Sequence, residues 1–170
     1  LMSYIIKTAK ESNCGPVFVS TDSIEYKNIA ESYGAQVPFI RPKYLSTSTT
    51  PSVWVIIHFI KWYKTTFNTL PNYLTFCPPT NPMLKSKTIS SMLNKIRKNS
   101  SFNSIVTYTK PKTHPFRIVG LDKSGQISNE FVSIDGKTIN DFERSQDFPL
   151  CYEGSPACRI TRSKFFIKLL

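Results

Sequence analysis

The chain has 170 residues and a mass of 19.4 kDa, the size of one domain. With 40% hydrophobic and 19% charged residues it can bury a core, which excludes a disordered chain. Lys and Arg number 22 against 11 Asp and Glu, giving a net charge of +11. The basic residues are scattered, and the densest stretch, 85–98, spreads over several turns of an expected helix. The charge therefore reads first as a solvated basic surface, then as a field for an anionic small molecule, and last as a nucleic-acid surface. No run approaches ~18 apolar residues, so no membrane span is expected. The opening residues lack signal-peptide order. Cys14, Cys77, Cys151 and Cys158 lack C-x2-C spacing and have no histidine at ligand distance in sequence. The expectation is a cytoplasmic chain with reduced, mostly buried thiols.

Residues 3–12 carry Ile5, Ile6 and Ala9 on one side of an expected helix, stopped by Asn13-Cys14-Gly15. Residues 16–22 form a short apolar run closing on Ser20-Thr21-Asp22, the pattern of a buried parallel strand. Asp22 is the expected N-cap of the next helix, with Glu25 completing a capping-box pattern and Gly34 supplying the stop. Residues 37–40 are a second strand, ending at Arg41-Pro42, and 43–49 a Ser/Thr-rich loop. Thr50-Pro51 opens a helix with Pro at its first position and Val53, Ile56, Ile57, Ile60 and Tyr63 on its apolar face. Residues 73–77 are a third strand running into Pro78-Pro79-Thr80-Asn81-Pro82. A helix from Ser86 or Lys87 presents Ile89, Met92, Leu93 and Ile96, and 104–110 is a fourth strand.

Strand and helix thus alternate, which predicts an α/β fold with a mainly parallel sheet. After Pro111 the pattern changes. Residues 115–120 and 126–133 read as a hairpin around 122–125, and 137–152 is irregular. Residues 158–161 are a last strand, with a helix start at Arg162-Ser163.

Ligands of open parallel sheets sit beyond the carboxyl ends of the strands. That rule selects Ser20-Thr21-Asp22, Arg41-Pro42 with its loop, and Pro79-Thr80-Asn81-Pro82. A guanidinium at Arg41 is placed for phosphate or ribose; the alternative is a surface arginine. Ser52 could contact a ligand or serve the free N–H groups of a helix start. Thr80 and Asn81 could shape a site, form a rigid turn, or both. Asp22 reads as a cap before it reads as a metal ligand. His114, next to Pro115, reads as structural, and His58, Trp54, Phe59, Trp62 and Tyr63 read as packing.

Val-Ser-Thr-Asp (19–22), Tyr-Gly-Ala-x-Val-Pro-Phe-x-Arg-Pro (33–42), Pro-Thr-Asn-Pro-Met (79–83), His114-Pro115 and Arg-Ser-Gln-Asp-Phe-Pro (144–149) follow one another in that order. Together they resemble the acylneuraminate cytidylyltransferases, or CMP-sialic acid synthetases, over residues 1–166. The resemblance implies a Rossmann-like nucleotidyltransferase fold with a mainly parallel sheet, helices on both faces and a small late β-hairpin. It implies an enzyme that joins CTP to an acidic nine-carbon (nonulosonic) or related sugar with Mg2+ and releases pyrophosphate. Arg41 and Ser52 would then bind the nucleotide, and Thr80, Asn81, Arg144, Gln146 and Tyr152 the sugar. No catalytic residue is assigned.

The family's glycine-containing phosphate loop and paired metal-binding aspartates have no counterpart in residues 1–170. The expectation is one cytidylyltransferase domain, 1–170, cut at both ends and inactive alone, with its Mg2+ ligands outside the chain. Residues 110–146 are the candidate dimerisation element or lid, and a homodimer is implied for the full-length protein. Ser48, Pro78 and residues 155–159 depart from the family pattern, which leaves the sugar open. The alternative function is a non-catalytic nucleotide-binding or interaction module of the same fold.

Overall fold

The computed structural model describes residues 1–130 and 133–169. The chain divides into two compact units, 1–107 with 156–170, and 108–155.

In the first unit, helix α1 (Met2–Glu11) buries Ile5 and Ile6. Helix α2 (Ile24–Ser32) follows, and its cap corrects the sequence reading. Ser23, not Asp22, is the N-cap, its hydroxyl accepting from the Tyr26 N–H at 3.2 Å. Both residue types can cap; Asp22 is engaged elsewhere, by Arg41. Gly34 then takes φ +79°, the left-handed stop expected there. Helix α3 (Ser52–Phe67) buries Ile56, Ile57 and Ile60 and ends at Asn68 in the left-handed region. Pro51 occupies its N-cap position, one residue before the expected place. Helix α4 (Ser86–Lys98) buries Ile89, Met92, Leu93 and Ile96, the i, i+3, i+4, i+7 face read from the sequence.

Strand β1 (Tyr73–Phe76), strand β2 (Ser104–Thr109) and the long C-terminal strand, here β5 (Glu153–Arg162), form a sheet in the order β1–β5–β2. The pairing corrects the expectation of a mainly parallel sheet. β1 and β5 are antiparallel, with Tyr73 opposite Arg162 and Phe76 opposite Arg159. Parallel pairing among the described residues is confined to two single bridges, Phe18 with Gln36 and Thr21 with Ile40. Segments 16–22 and 37–41 therefore lie side by side without forming full strands. The third expected strand pairs instead with the returning C-terminal segment. The fold stated at this level is mixed α/β.

Alternate residues of these segments meet different helices, as a period of two requires. Tyr73 and Cys77 pack with the α4 cluster around Ile89 and Ile160, whereas Leu74 and Phe76 pack with Ile56 and Ile60 of α3. Likewise Val17 and Val19 pack with Ile6 of α1 and Ala30 of α2, whereas the Phe18 ring lies 5.1 Å from Phe59 of α3. Ile60, Ile96 and Ile160 are fully buried, each side chain contributing about 1.5–3 kcal/mol. The four cysteines are free thiols: Cys158 is buried and the other three half-buried. Cys77 and Cys158 Sγ lie 3.7 Å apart. Their contact lowers the Cys77 pKa, and contact plus burial raises that of Cys158. After β5 the chain continues as a 3-10 turn, Ser163–Leu169, where a helix start was expected.

In the second unit, β3 (Val119–Leu121) and β4 (Ile127–Glu130) form the expected antiparallel hairpin. Asp122 Oδ1 accepts from Ser124 N, Ser124 Oγ and Gln126 N, which lowers its pKa and fixes the turn. The expected strand 126–133 runs into residues 131–132, outside the described residues. Pro115–Arg117 form a 3-10 turn rather than the start of a strand. His114 Nδ1 accepts from the Phe116 N–H at 3.2 Å, so its Nε2–H donates to Pro149 O at 2.9 Å. The His114 ring also meets Phe116 edge-on at 4.9 Å and Phe148 at 4.8 Å, packing consistent with the structural role read from the sequence.

Candidate functional site

Arg41 stands at the carboxyl ends of segments 16–22 and 37–41, and its orientation is fixed by three acceptors. Its Nε donates to Ser46 Oγ at 3.0 Å, Nη1 to Ser20 O at 3.3 Å and Nη2 to Asp22 Oδ1 at 3.4 Å. Ser46 in turn donates to Pro42 O at 3.0 Å. A guanidinium has five N–H donors, so one on each terminal nitrogen lacks a partner among the described residues. Asp22 is half-exposed, which makes the ion pair a positioning contact worth about 0.2–1 kcal/mol. His58 of α3 senses the same charge: burial first, and Arg41 second, hold its imidazole below the ordinary pKa. Its ring meets Phe39 edge-on at 4.5 Å, the packing role read from the sequence.

Arg41, Ser52 and Thr80 line one cavity of about 1420 Å³ in the first unit. Its polar end also holds Ser20, Ser46, Thr47 and Thr50. The Ser20 hydroxyl is buried and unpartnered among the described residues, whereas Ser52 lines the cavity as an exposed residue. Ser52 is the first residue of α3, whose free N–H groups and positive dipole end favour an anion. The arrangement can hold a phosphate by charge, hydroxyls and backbone N–H groups together.

Thr80 and Asn81 form a turn. Asn81 Nδ2 donates to Thr80 Oγ1 at 3.2 Å, and Leu84 N donates to Asn81 O at 3.1 Å. Thr80 lines the cavity and Asn81 does not. Arg144, Gln146 and Tyr152 belong to the second unit and are exposed. Arg144 makes two hydrogen bonds to Asp147, at 2.9 and 3.0 Å, so a carboxylate already occupies its guanidinium. The carboxyl-end rule selected Ser20 and the loop that holds Ser46, but sequence reasoning gave neither serine a role, and nothing in a Ser/Thr-rich loop singles out Ser46.

Among the described residues no group of three or more His, Cys, Asp or Glu side chains could hold a metal ion. The carboxylate beside the cavity, Asp22, is turned to Arg41. These residues do not fit a Mg2+ site.

The sequence profile of the family described as cytidylyltransferase matches residues 1–124. The chain belongs to the cytidylyltransferase family. It is 26% identical over 123 residues to the CMP-N,N'-diacetyllegionaminic acid synthase of Legionella pneumophila, covering 72% of this chain and 52% of that protein. It is 24% identical over 129 residues to a Helicobacter pylori pseudaminic acid cytidylyltransferase that is also named as a UDP-2,4-diacetamido-2,4,6-trideoxy-beta-L-altropyranose hydrolase, covering 75% and 24%. With the N-acylneuraminate cytidylyltransferase of Escherichia coli it shares 29% over 143 residues, covering 82% and 32%. The chain spans about half or less of the length of these curated relatives. The cytidylyltransferase match contains Arg41, Ser52, Thr80 and Asn81 and stops short of Arg144, Gln146 and Tyr152.

Proposed function

We propose that this chain carries the nucleotide-binding part of an enzyme that transfers CMP from CTP to a nonulosonic, sialic-acid-like sugar and releases pyrophosphate. The observation that carries the reading is Arg41, held by Ser20, Asp22 and Ser46 with two N–H groups to spare, at the polar end of the cavity shared with Ser52 and Thr80. In this reading a sugar hydroxyl oxygen attacks the α-phosphorus, the new O–P bond forms, and the bond to the β-phosphate oxygen breaks. Such transfer depends on positioning and on cations that offset developing charge. Arg41 supplies a fixed cation, Ser20 and Ser52 supply hydroxyls, and the Thr80–Asn81 turn forms the wall between nucleotide and sugar.

Three relatives whose names carry legionaminic, pseudaminic and N-acylneuraminic acid support an acidic nonulosonic sugar as the acceptor. Arg144, Gln146 and Tyr152 are proposed for the sugar, with Arg144 exchanging Asp147 for the sugar carboxylate. Mg2+ is proposed as the cofactor of the whole enzyme, with ligands from outside this chain. The two parallel bridges and the helices met by alternate residues support a Rossmann-like layering, with helices on both faces of a sheet. A homodimer and a cytoplasmic location belong to the same proposal; no helix among the described residues is long and apolar enough to cross a membrane.

The test is calorimetric titration of CTP into the natural gene product, with Arg41→Ala and Arg41→Lys beside it, and pyrophosphate release measured with the three named acids. Loss of two charge-assisted hydrogen bonds, at about 1.5 kcal/mol or more each, predicts CTP binding weaker by roughly 100-fold or more in R41A, with only partial recovery in R41K. Undiminished CTP binding by R41A refutes the site. CTP binding without pyrophosphate release for any acid favours the non-catalytic module.

A further inference from the structure

Antiparallel pairing of β1 with β5 sets two cysteines opposite each other. Tyr73 faces Arg162 and Phe76 faces Arg159, so the next pair in that register is Cys77 with Cys158. Ser163 N donates to Asn72 O at 3.2 Å, which makes 72 and 163 a hydrogen-bonded pair. Pair types alternate along an antiparallel ladder, so 77 and 158 form a non-hydrogen-bonded pair, the type whose side chains stand closer. The backbone of Cys158 agrees. Its N–H donates to Thr107 Oγ1 at 3.1 Å and its C=O accepts from the same hydroxyl at 3.2 Å, so both groups turn to β2 and away from β1. Cα atoms of such a pair lie about 4.5 Å apart, within the span that a disulfide bridges. The sulfurs are already 3.7 Å apart, although 81 positions separate the two residues in the chain. Closing to a bond of about 2.0 Å needs rotation of the side chains and no movement of the strands.

The two thiols differ in access and in acidity. Cys77 is half-buried and lines the cavity, as do Tyr73, Phe76, Ile89 and Leu93. Cys158 is 1% exposed and packs within the α4 cluster. Contact with Cys158 lowers the pKa of Cys77, because the Cys158 S–H can donate to a Cys77 thiolate. The same contact, and then burial, raises that of Cys158. The thiolate, which is the reactive form, therefore arises first at the sulfur that opens on the cavity. Cys14, the third thiol packed against this cluster, donates to Ser12 O at 3.4 Å. The apolar lining around Cys77 favours a small uncharged reagent over a charged one.

We infer that Cys77 and Cys158 are a redox site, which a small uncharged peroxide entering the cavity converts reversibly to a cross-strand disulfide. The Cys77 thiolate attacks one oxygen of hydrogen peroxide and the O–O bond breaks. The other oxygen leaves as hydroxide and takes up a proton. Cys77 is then a sulfenic acid, its sulfur oxidised by two electrons as the peroxide is reduced. The Cys158 sulfur attacks the Cys77 sulfur, the S–O bond breaks as the S–S bond forms, and the departing hydroxide takes the Cys158 proton. Two thiols and one hydrogen peroxide thus give one disulfide and two waters. A dithiol reductant reopens the bond by thiol–disulfide exchange. Cys77 directly precedes Pro78, so the closed bond anchors the Thr80 turn to β5. The inference rests on register, sulfur contact and access, and does not depend on the proposed reaction.

The test exposes the natural gene product to hydrogen peroxide, blocks the remaining thiols by alkylation, and maps the digest without reduction by mass spectrometry. The expected product is a peptide pair joined through Cys77 and Cys158, lighter by two hydrogens than the separate peptides, and absent after dithiothreitol under native conditions. Cys14→Ser should give the same pair. In Cys158→Ser the sulfenic acid has no neighbouring thiol, so dimedone should capture it at Cys77 at least about tenfold more than in the wild type. In Cys77→Ser the buried Cys158 should yield no dimedone adduct. The wild-type and Cys14→Ser maps decide the matter even where a core variant fails to fold. Cys77 joined to Cys14, to Cys151 or to another chain overturns the inference. So does a map in which both thiols remain alkylated, or in which Cys77 reaches the sulfinic acid while Cys158 stays reduced. A bond that native dithiothreitol leaves closed overturns it too.

Discussion

Arg162→Ala tests whether the β1–β5 pairing that delivers Thr80 to the cavity is held from behind. Arg162 Nε donates to Phe102 O at 2.8 Å, Nη1 to Tyr73 Oη at 3.1 Å, and Nη2 to Ile96 O at 2.7 Å and Asn99 O at 3.1 Å. Ile96 and Asn99 are at the C-terminus of α4, where carbonyls lack intrahelical partners and the dipole favours a cation. The guanidinium also lies 5.2 Å from the Tyr73 ring centroid. The bonds to Tyr73 and Ile96 are part-buried and are taken at about 1–1.5 kcal/mol each, and the two exposed ones at about 0.5 kcal/mol. The expected loss is about 3 kcal/mol, or roughly 6–12 °C in Tm for a chain of this size. Urea unfolding followed by circular dichroism measures it. R162K can reach one carbonyl but cannot span the fork, and should recover less than half. A loss below about 1 kcal/mol in R162A would refute the role of Arg162 as the clamp between α4 and the sheet.

Ser23→Ala removes the cap of α2 and should cost about 1 kcal/mol, whereas Asp22→Ala breaks only a half-exposed ion pair and should cost less; denaturation midpoints in the reverse order would return the cap to Asp22. His58 titrates below its ordinary value, so the unfolded chain binds its proton more readily than the folded one. Its contribution to stability is therefore complete above the unfolded pKa of about 6.5 and declines as the pH falls through the lower folded value. Unfolding free energy measured at pH 8 and pH 5 should drop more in the wild type than in His58→Gln, and an equal drop in both sinks the assignment.

The helices were legible because their information is local. The spacing of Ile89, Met92, Leu93 and Ile96 specifies the buried face of α4 without reference to any partner, and Gly34 stops α2 by backbone conformation alone. Pairing of strands is not local. The run 16–22 has the composition of a buried parallel strand, yet composition does not name a neighbour, and the segment makes single bridges to Gln36 and Ile40. The C-terminal strand was read as four residues and spans ten. Pro156 argues against a strand, but it lies beyond the stretch paired with β1, residues 159–162, where a missing N–H would break that ladder. Asp22 shows the same limit at a helix end. Two cap-competent residues stand in sequence, and a contact from Arg41, nineteen residues away, decides which one caps.

At the site, position was legible and orientation was not. The carboxyl-end rule located Arg41 before any contact was known, whereas its three acceptors include a backbone carbonyl and a loop serine that no motif marks. Those acceptors matter chemically because only one of them, Asp22, carries charge. Asp22 is half-exposed and its pairing with Arg41 is correspondingly weak, so the ion pair orients the guanidinium without cancelling its field. The other acceptors are neutral, the adjoining hydroxyls are neutral, and His58 is pushed toward its neutral form by burial and by Arg41 itself. A fixed cation with two N–H groups to spare, among neutral donors and beside a helix N-terminus, suits an anionic phosphate ligand. Arg144 is arranged in the opposite way. Its bidentate pairing with Asp147 satisfies the fork that a carboxylate ligand would need, so ligand binding there must first displace a carboxylate of the protein.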